Sequence, residues 1–275
     1  MKYAVVSDIH ANIEAFTAVL AEIDQQQIDQ IICLGDTVGY YTNPNECLDI
    51  IRERNVQSIA GNHDRAGTGL KEPIPGCGVF GRRAISWTRP RLTPENATFL
   101  DQLPITRVID NQFLLVHGTL YPTPNEEIYL TGNPDVLQRN FNVLLHHEAQ
   151  VKIVFFGHTH HALAYHYSDG TIGKFNPPED VRLNASDYYF INPGSVGQSR
   201  DDDPRAAFLT YDTKDSLVRF HRVDYNHALS HKKAKKEGLP YDEHELTFRK
   251  FVGKVLDGIG AKAWLKRQLK KIKGK

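Results

Sequence analysis

The sequence predicts an α/β chain of two mixed sheets packed against each other, with helices outside. Two patterns carry that expectation. Up to His160, short apolar runs rich in β-branched residues alternate with helical patterns, as when strands pair in parallel through crossover helices. Beyond His161, strand patterns follow one another across short turns such as Asp212-Thr213-Lys214-Asp215, which implies antiparallel pairing. A third feature marks the end of the chain: from Tyr225 onward it reads as helical and basic.

YAVVS is the first buried strand, and NIEAFTAVLAEI follows with Phe16, Val19, Leu20 and Ile23 on one helical face. QIICLGD is the second strand. Asn43-Pro44-Asn45-Glu46 then opens a helix, with Asn as cap, Pro in the first turn and Glu three residues after the cap. VQSIAGN reads as a third strand, Thr93-Pro94-Glu95 as another capped helix start, and FLLVHG and KIVFFGH as two more strands. Between the last two, VLQRNFNVLLHH is helical, and His146 and His147 close it as polar C-terminal residues rather than as a second metal site. ALAYHY, DYYFINPG, RAAFLTYD and SLVRFHRV complete the strands. Residues 65–104, rich in Gly, Pro and Arg, are the least regular stretch and are expected to form a lid or surface excursion. In the last segment Phe251, Val255, Leu256, Ile259, Leu265, Leu269 and Ile272 recur at helical spacing, so an apolar face is available to dock.

Composition sets bounds on function. Hydrophobic residues make up 40% and charged residues 24% of 275, which suits one large globular domain or a domain with an appendage. Residues 231–275 hold 14 of the 33 Lys and Arg but only 5 of the 33 Asp and Glu, so an acidic body carries a basic tail. A basic helix can bind nucleic-acid phosphates, but a solvated helix face is the commoner explanation, and Trp264 sits among apolar neighbours rather than on a stacking platform. Nucleic acid is therefore a minor expectation. Cys33, Cys47 and Cys77 are odd in number with no CxxC spacing, which fits reduced thiols. The opening MKYAVVSDIH is too short an apolar run for a signal peptide, and no segment has the length of a membrane span, so a cytoplasmic protein is expected. The sequons at Asn96 and Asn184 are then accidental.

The chemistry lies at the strand ends. Five strands finish in Asp8-Ile9-His10, Gly35-Asp36, Gly61-Asn62-His63-Asp64, His117-Gly118 and Gly157-His158-Thr159-His160. In open α/β sheets, the carboxyl ends of strands are where ligands bind. Asp8 and His10 are two apart, as are His158 and His160; in extended chain such residues share a side, so each pair is expected to aim two donors at one point. The glycines let backbone approach an ion closely. Carboxylate, imidazole and amide oxygen together suit Mn²⁺, Fe²⁺, Zn²⁺ or Ni²⁺, and the lack of a cysteine among them excludes a thiolate site. Asp8, His10, Asp36, Asn62, His117, His158 and His160 are too many ligands for one ion, whereas two ions sharing a bridging carboxylate would use them all. Paired metals about 3.5–4 Å apart clamp both the attacking and the leaving oxygen of a phosphoryl displacement. One such motif alone is more often structural; five in order, each at a strand end, point to a metal site.

These blocks, DIH, GD, GNHD, VHG and GHTH in this order, with the turn Asn192-Pro193-Gly194-Ser195, resemble the calcineurin-like metallophosphoesterase family. The resemblance covers about the first 200 residues and implies a four-layer α/β/β/α sandwich; the domain is expected over residues 1–224, with 225–275 as a basic helical C-terminal extension. It also implies two divalent metal ions, Mn²⁺ first among candidates and Fe, Ni, Zn or Mg as alternatives. On the family pattern Asp8, His10 and His160 hold one metal, Asn62, His117 and His158 the other, and Asp36 bridges them. The same pattern makes His63, with its neighbour Asp64, catalytic: His63 acts as general acid to the leaving oxygen, or as hydrogen-bond donor to the phosphate, while a hydroxide activated by the two metals attacks.

The chain departs from the pattern at one place. Phosphoprotein phosphatases of the family read GDxVDRG, but here GDTVGYY puts Gly39 and Tyr40 at the Asp and Arg positions. That points to the prokaryotic phosphodiesterase-type branch, with a phosphodiester as the expected substrate. A phosphomonoesterase or protein phosphatase is the runner-up, and a nuclease or a non-catalytic metal-binding scaffold ranks lower. Phosphate contacts must then come from other groups: Arg65, Arg200 and Arg205, whose planar forks suit phosphate oxygens, with Tyr40 lining the cleft. The arginines read equally well as surface ion pairs with Asp201, Asp202 and Asp203, and Tyr40 and Tyr41 equally well as packing residues. His161 is expected on the rim.

Overall fold

Strand β1 (Lys2–Val6) shows how the layers arise. Its side chains alternate, Tyr3 and Val5 entering one core and Ala4 and Val6 another, so both of its faces are covered. The computed structural model describes residues 1–69, 79–122, 129–130, 132–177 and 180–239. Helix α1 (Ile13–Asp24) starts where the Asn12 side chain accepts the Ala15 N–H, and it buries Phe16, Val19, Leu20 and Ile23. There follow β2 (Gln30–Cys33), α2 (Pro44–Glu53), β3 (Gln57–Ser58) and α3 (Asn62–Gly67). Next come α4 (Val79–Thr88), a 3₁₀ turn (Arg89–Arg91), α5 (Pro94–Gln102), β4 (Thr106–Ile109), β5 (Phe113–Val116) and α6 (Pro134–Leu145). The second half runs β6 (Ile153–Phe155), β7 (Ala162–Ser168), β8 (Thr171–Phe175), β9 (Val181–Arg182), β10 (Tyr188–Pro193), β11 (Ala206–Asp212), β12 (Leu217–Val223) and α7 (His227–Lys236).

Two six-stranded sheets result, ordered β3-β2-β1-β11-β12-β9 and β4-β5-β6-β10-β7-β8. Each has a parallel centre, β1 with β2 and β3, and β6 with β5 and β10, and each adds antiparallel strands from the second half of the chain. Tyr3, Val5, Ile32 and Leu34 of the first sheet meet Phe113, Leu115, Phe155 and Ile191 of the second in a shared core. The outer face of the first sheet packs on α1 and α2 through Phe16, Leu20, Cys47 and Ile51. That of the second packs on α6 through Leu137, Phe141 and Leu144. This is the expected α/β/β/α layering.

Several local expectations change. Asn43 makes no side-chain cap to the backbone of α2; its amide donates instead to the Glu46 carboxylate, 2.7 Å away. Of residues 65–104, those described are mostly helical, because α3, α4 and α5 pack together rather than forming an irregular excursion. Asn96 is buried and donates to Asn45 and Asp49, which seals that sequon off from modification. Strands β4, β8 and β9 carry too little apolar alternation to be read from sequence. Helix α7 docks on α1, where the Lys233 ammonium pairs with Glu14. The apolar face from Phe251 to Ile272, Cys77 and Trp264 lie outside the described residues. Among the described residues, no helix is long and apolar enough to cross a membrane.

Candidate metal centre

Beyond their last strand residues β1 and β2 stay coupled through their loops. Asp8 N–H donates to Gly35 O (3.0 Å), His10 N–H to Asp36 O (2.9 Å) and Ala11 N–H to Thr37 O (2.8 Å). The pairs Asp8/His10 and His158/His160 do converge, but not by strand alternation. All four, with Asp36, have left-handed backbone, φ between 54° and 66°. Such conformations cost about 1–3 kcal/mol each for a non-glycine residue and persist only where surrounding bonds over-determine them. Those bonds are present. Ser195 Oγ–H and Gly197 N–H donate to the Asp8 carbonyl at 2.8 and 3.0 Å, and the Asn192 amide donates to Gly157 O (2.8 Å) and Thr159 Oγ1 (3.1 Å). The Asn-Pro-Gly-Ser turn thus braces two ligand loops at once.

All seven candidate ligands are buried and brought together. Asp8 Oδ2 accepts from Ser7 Oγ (2.6 Å) and the His158 N–H (3.1 Å), while Oδ1 has no hydrogen-bond donor and lies 3.2 Å from His160 Nε2. Asp36 repeats the arrangement: Oδ1 accepts from the His63 N–H (2.8 Å), and Oδ2 lies 3.3 Å from His117 Nε2 and 3.8 Å from His10 Nε2. Asn62 Oδ1 is 3.2 Å from His117 Nε2, and His158 Nε2 is buried without a partner.

The histidine tautomers show that these residues fit a cation. His10 Nδ1 lies 3.1 Å from Val38 O, His117 Nδ1 2.8 Å from Leu34 O, and His160 Nδ1 against Gln198 O. A carbonyl only accepts, so each Nδ1 carries the hydrogen, and on His10 and His160, which burial keeps neutral, Nε2 is left with a lone pair. His10 Nε2 and His160 Nε2 therefore face each other at 3.1 Å with no proton between them, beside two carboxylate oxygens that also only accept. Convergent lone pairs with their outer nitrogens tied to backbone are the arrangement of a metal site. The ligand atoms of Asp8, His10 and His160 lie within 4.8 Å of one another, as do those of Asp36, His117 and His158, and those of His10, Asp36 and His63.

Electrostatics follow the same geometry. Burial pushes the Asp36 carboxyl up, but His117, His63 and His10 outweigh it and hold it well below the usual carboxylate range. Burial lowers His117, yet the charge and hydrogen bond of Asp36 lift it to about 9. Burial drives His158 down to about 3, with the His117 charge adding to it, and burial takes His63 down to about 4 against the pull of Asp36. A neutral His63 ring keeps one N–H to donate.

The remaining predicted residues divide. Asp64 is buried with both oxygens committed, Oδ1 to the Val38 N–H (3.1 Å) and Oδ2 to the Gly61 N–H (3.0 Å), so it ties the GDTVG loop to the start of α3. Its carboxyl is pushed up to about 6 by burial and by the Asp36 charge. Arg65 is buried within the field of Asp36 and Asp64. Arg200 donates to Tyr129 Oη (3.3 Å) and Tyr40 Oη (3.5 Å), and its charge depresses His63, His158 and His160. The Tyr40 ring lies 4.6 Å from that of His10 and 4.8 Å from that of His63. Arg205 instead grips Asp203 through two forked bonds of 3.0 and 2.6 Å, the surface ion pair that was its alternative reading. Tyr41 is buried and His161 is exposed. Sequence reasoning missed Tyr129, stacked on His158 at 4.3 Å; a lone tyrosine in a loop carries no pattern that would reveal it.

Gly61 shows how tightly the loops close. A Cβ there would sit 2.1 Å from Asp36 Oδ1 and 2.4 Å from Asp36 N. Gly61→Ala is expected to destabilise the fold by about 1–3 kcal/mol and to weaken Mn²⁺ binding, read from thermal melts with and without the ion.

The model of the calcineurin-like phosphoesterase superfamily domain matches residues 1–216. The uncharacterized protein MJ0912 of Methanocaldococcus jannaschii is 36% identical over 244 residues, spanning 86% of this chain and 93% of its own length. The crystal structure of a metallophosphoesterase from Sphaerobacter thermophilus is similar with a TM-score of 0.72 and 33% identity, over 87% of this chain and 95% of that one. Hypothetical protein PH1004 from Pyrococcus horikoshii OT3 shares the fold with a TM-score of 0.70 at 21% identity, over 87% and 94% of the two chains. The family implies divalent metal ions, which the convergent lone pairs at Asp8, Asp36 and the histidines suit. This chain belongs to the calcineurin-like phosphoesterase superfamily and is a phosphoric ester hydrolase.

Proposed function

We propose that the protein hydrolyses phosphodiesters at a dinuclear centre, Mn²⁺ being the first candidate. Asp8, His10 and His160 would hold one ion, Asn62, His117 and His158 the other, with Asp36 shared. The facing lone pairs of His10 and His160 carry the metal assignment. Bound there, two divalent cations would set positive charge against the phosphoryl oxygens and acidify water at neutral pH.

The chain's own residues do the rest. Asp8 and Asp36 each anchor one oxygen to backbone, so their other oxygens need no reorganisation. Arg200 binds a phosphate oxygen, a ring N–H of His63 donates to the departing ester oxygen, and Asp64 keeps the two loops that carry Asp36 and His63 in register. The diester preference is supported at position 39. A Cβ on Gly39 would lie 2.3 Å from His63 Nδ1, which is buried without a hydrogen-bond partner, so no carboxylate backs the imidazole there. A diester also carries one negative charge rather than two, and its second ester group needs a wall; one guanidinium between two phenols offers both. The free, buried Cys33 and Cys47 fit a reducing, cytoplasmic setting.

The test is hydrolysis of bis(4-nitrophenyl) phosphate and 4-nitrophenyl phosphate by metal-free protein reconstituted with Mn²⁺. Faster diester turnover that vanishes on chelation is expected. Preference for the monoester would overturn the diester reading, and no turnover of either with two ions bound would overturn the enzymatic assignment of this centre to simple phosphoesters. Arg200→Ala should raise KM for the diester about 10-fold or more, a hydrogen bond to a charged group contributing roughly 1.5–3 kcal/mol. Arg205→Ala, already committed to Asp203, should leave KM within about 2-fold in the same assay.

A further inference from the structure

Tyr129 occupies a position that the diester reading leaves unexplained. One face of its ring lies on His158, centroids 4.3 Å apart and planes 26° apart, while its hydroxyl accepts from Arg200 Nη1 at 3.3 Å. A tyrosine held at both ends in this way is normally covered, yet this one is 38% exposed. Among the described residues, no second aromatic ring lies on its outer face, and no carboxylate pairs with Arg200. Opposite it, Tyr40 takes the other guanidinium nitrogen and packs against His10 and His63. The phosphate-binding arginine is thus suspended between two phenols, one on each side of the ligand cluster. A phosphate on Arg200 would sit at the hydroxyl end of the Tyr129 ring, with an ester substituent lying along its open face.

We infer that Tyr129 is a specificity-determining residue, and that its outer face stacks a planar ester group, so that the substrate is a phosphodiester bearing an aryl or nucleobase substituent. The inference rests on the proposed diester activity and narrows it to a substrate class. A planar group would extend the existing pair into a three-layer stack of His158, Tyr129 and substrate. A flat ring gains from such stacking over a saturated ring of similar area, because offset aromatic faces interact beyond simple burial. The hydroxyl has a separate task, steadying Arg200, which a phenylalanine would lose without losing the stack.

The test uses two hydrolysis-resistant diester mimics, methyl phenylphosphonate and methyl cyclohexylphosphonate, titrated calorimetrically into the Mn²⁺-loaded protein. The phenyl compound is expected to bind about 3- to 10-fold tighter, the range of an aromatic pair beyond its area. Tyr129→Ala should bring that ratio close to one. Tyr129→Phe should weaken both compounds together and keep the ratio. Equal binding of the two mimics by the unmodified protein, a ratio that survives Tyr129→Ala, or no binding of either would overturn the inference. Diester turnover is measured on the same preparation: its absence alongside an intact binding ratio would sink the activity reading and leave the stacking face standing.

Discussion

Asp36→Asn is expected to abolish metal-dependent turnover while leaving the fold in place. Asp36 Oδ1 accepts the His63 N–H at 2.8 Å, a bond the asparagine carbonyl can keep, so the start of α3 stays positioned. What disappears is the negative charge on Oδ2, which faces His117 Nε2 at 3.3 Å and His10 Nε2 at 3.8 Å and so belongs to both halves of the cluster. Loss of a partner that merely orients a metal ligand costs about 10–100-fold in affinity or activity, and removal of a shared carboxylate should exceed that range. Without metal, the substitution removes a charge that His117, His63 and His10 hold well below the usual carboxylate range, an attraction larger than the relief of its repulsion with Asp8. The metal-free melting temperature at neutral pH should therefore hold or fall, while the increase produced by Mn²⁺, which reports preferential binding to the folded state, should vanish. A variant that keeps the full Mn²⁺ shift would show that Asp36 is not shared between ions.

His63→Ala is the second large effect, and it should separate rate from metal binding. His63 touches the cluster through its ring, 4.8 Å from His10, but it lies outside the seven proposed ligands, so two ions should still bind. Turnover should fall about 10²–10⁴-fold, the usual contribution of a positioned proton donor. The loss should be largest for diesters with poor leaving groups, because a departing alkoxide needs a donor more than a nitrophenolate does. Kinetics with a series of leaving groups, together with metal content by elemental analysis, reads both quantities. A loss independent of leaving group would move the hydrogen bond from the leaving oxygen to a non-bridging phosphate oxygen. Loss of one metal would make His63 a ligand, consistent with its lying in one compact group with His10 and Asp36.

Much of this was legible from the chain. The strands β1, β2, β5 and β6 are continuous apolar runs because both of their faces are covered, and each ends in a polar motif that nothing in a core would require. Helix α5 announces itself through a cap at Thr93 that the structure makes as a hydrogen bond, and α1 through the apolar face of Phe16, Val19, Leu20 and Ile23; the caps at Asn12 and Asn133 emerge only in the structure. The short strands β4, β8 and β9 were not legible: they are half-exposed and held by sheet neighbours rather than by their own pattern. Arg200 and Arg205 look alike in the sequence. They separate only when folding hands Arg205 to Asp203, two residues away, and turns Arg200 towards Tyr40 and Tyr129, 160 and 71 residues away.

By itself, the sequence determined the layered α/β architecture and the pool of seven candidate ligands, because apolar periodicity and ligand chemistry are properties of residue type and spacing. The tertiary structure alone decided how those ligands converge. Asp8, His10, Asp36, His158 and His160 face one another through left-handed loop backbone and not through strand alternation. That conformation is unfavourable locally and is sustained by bonds from Asn192, Ser195 and Gly197, residues that meet the ligand loops only in the folded chain. Tyr129 belongs to the same category. Its ring stacks on His158, beyond the end of β6, and no local rule writes such a contact into the neighbouring residues.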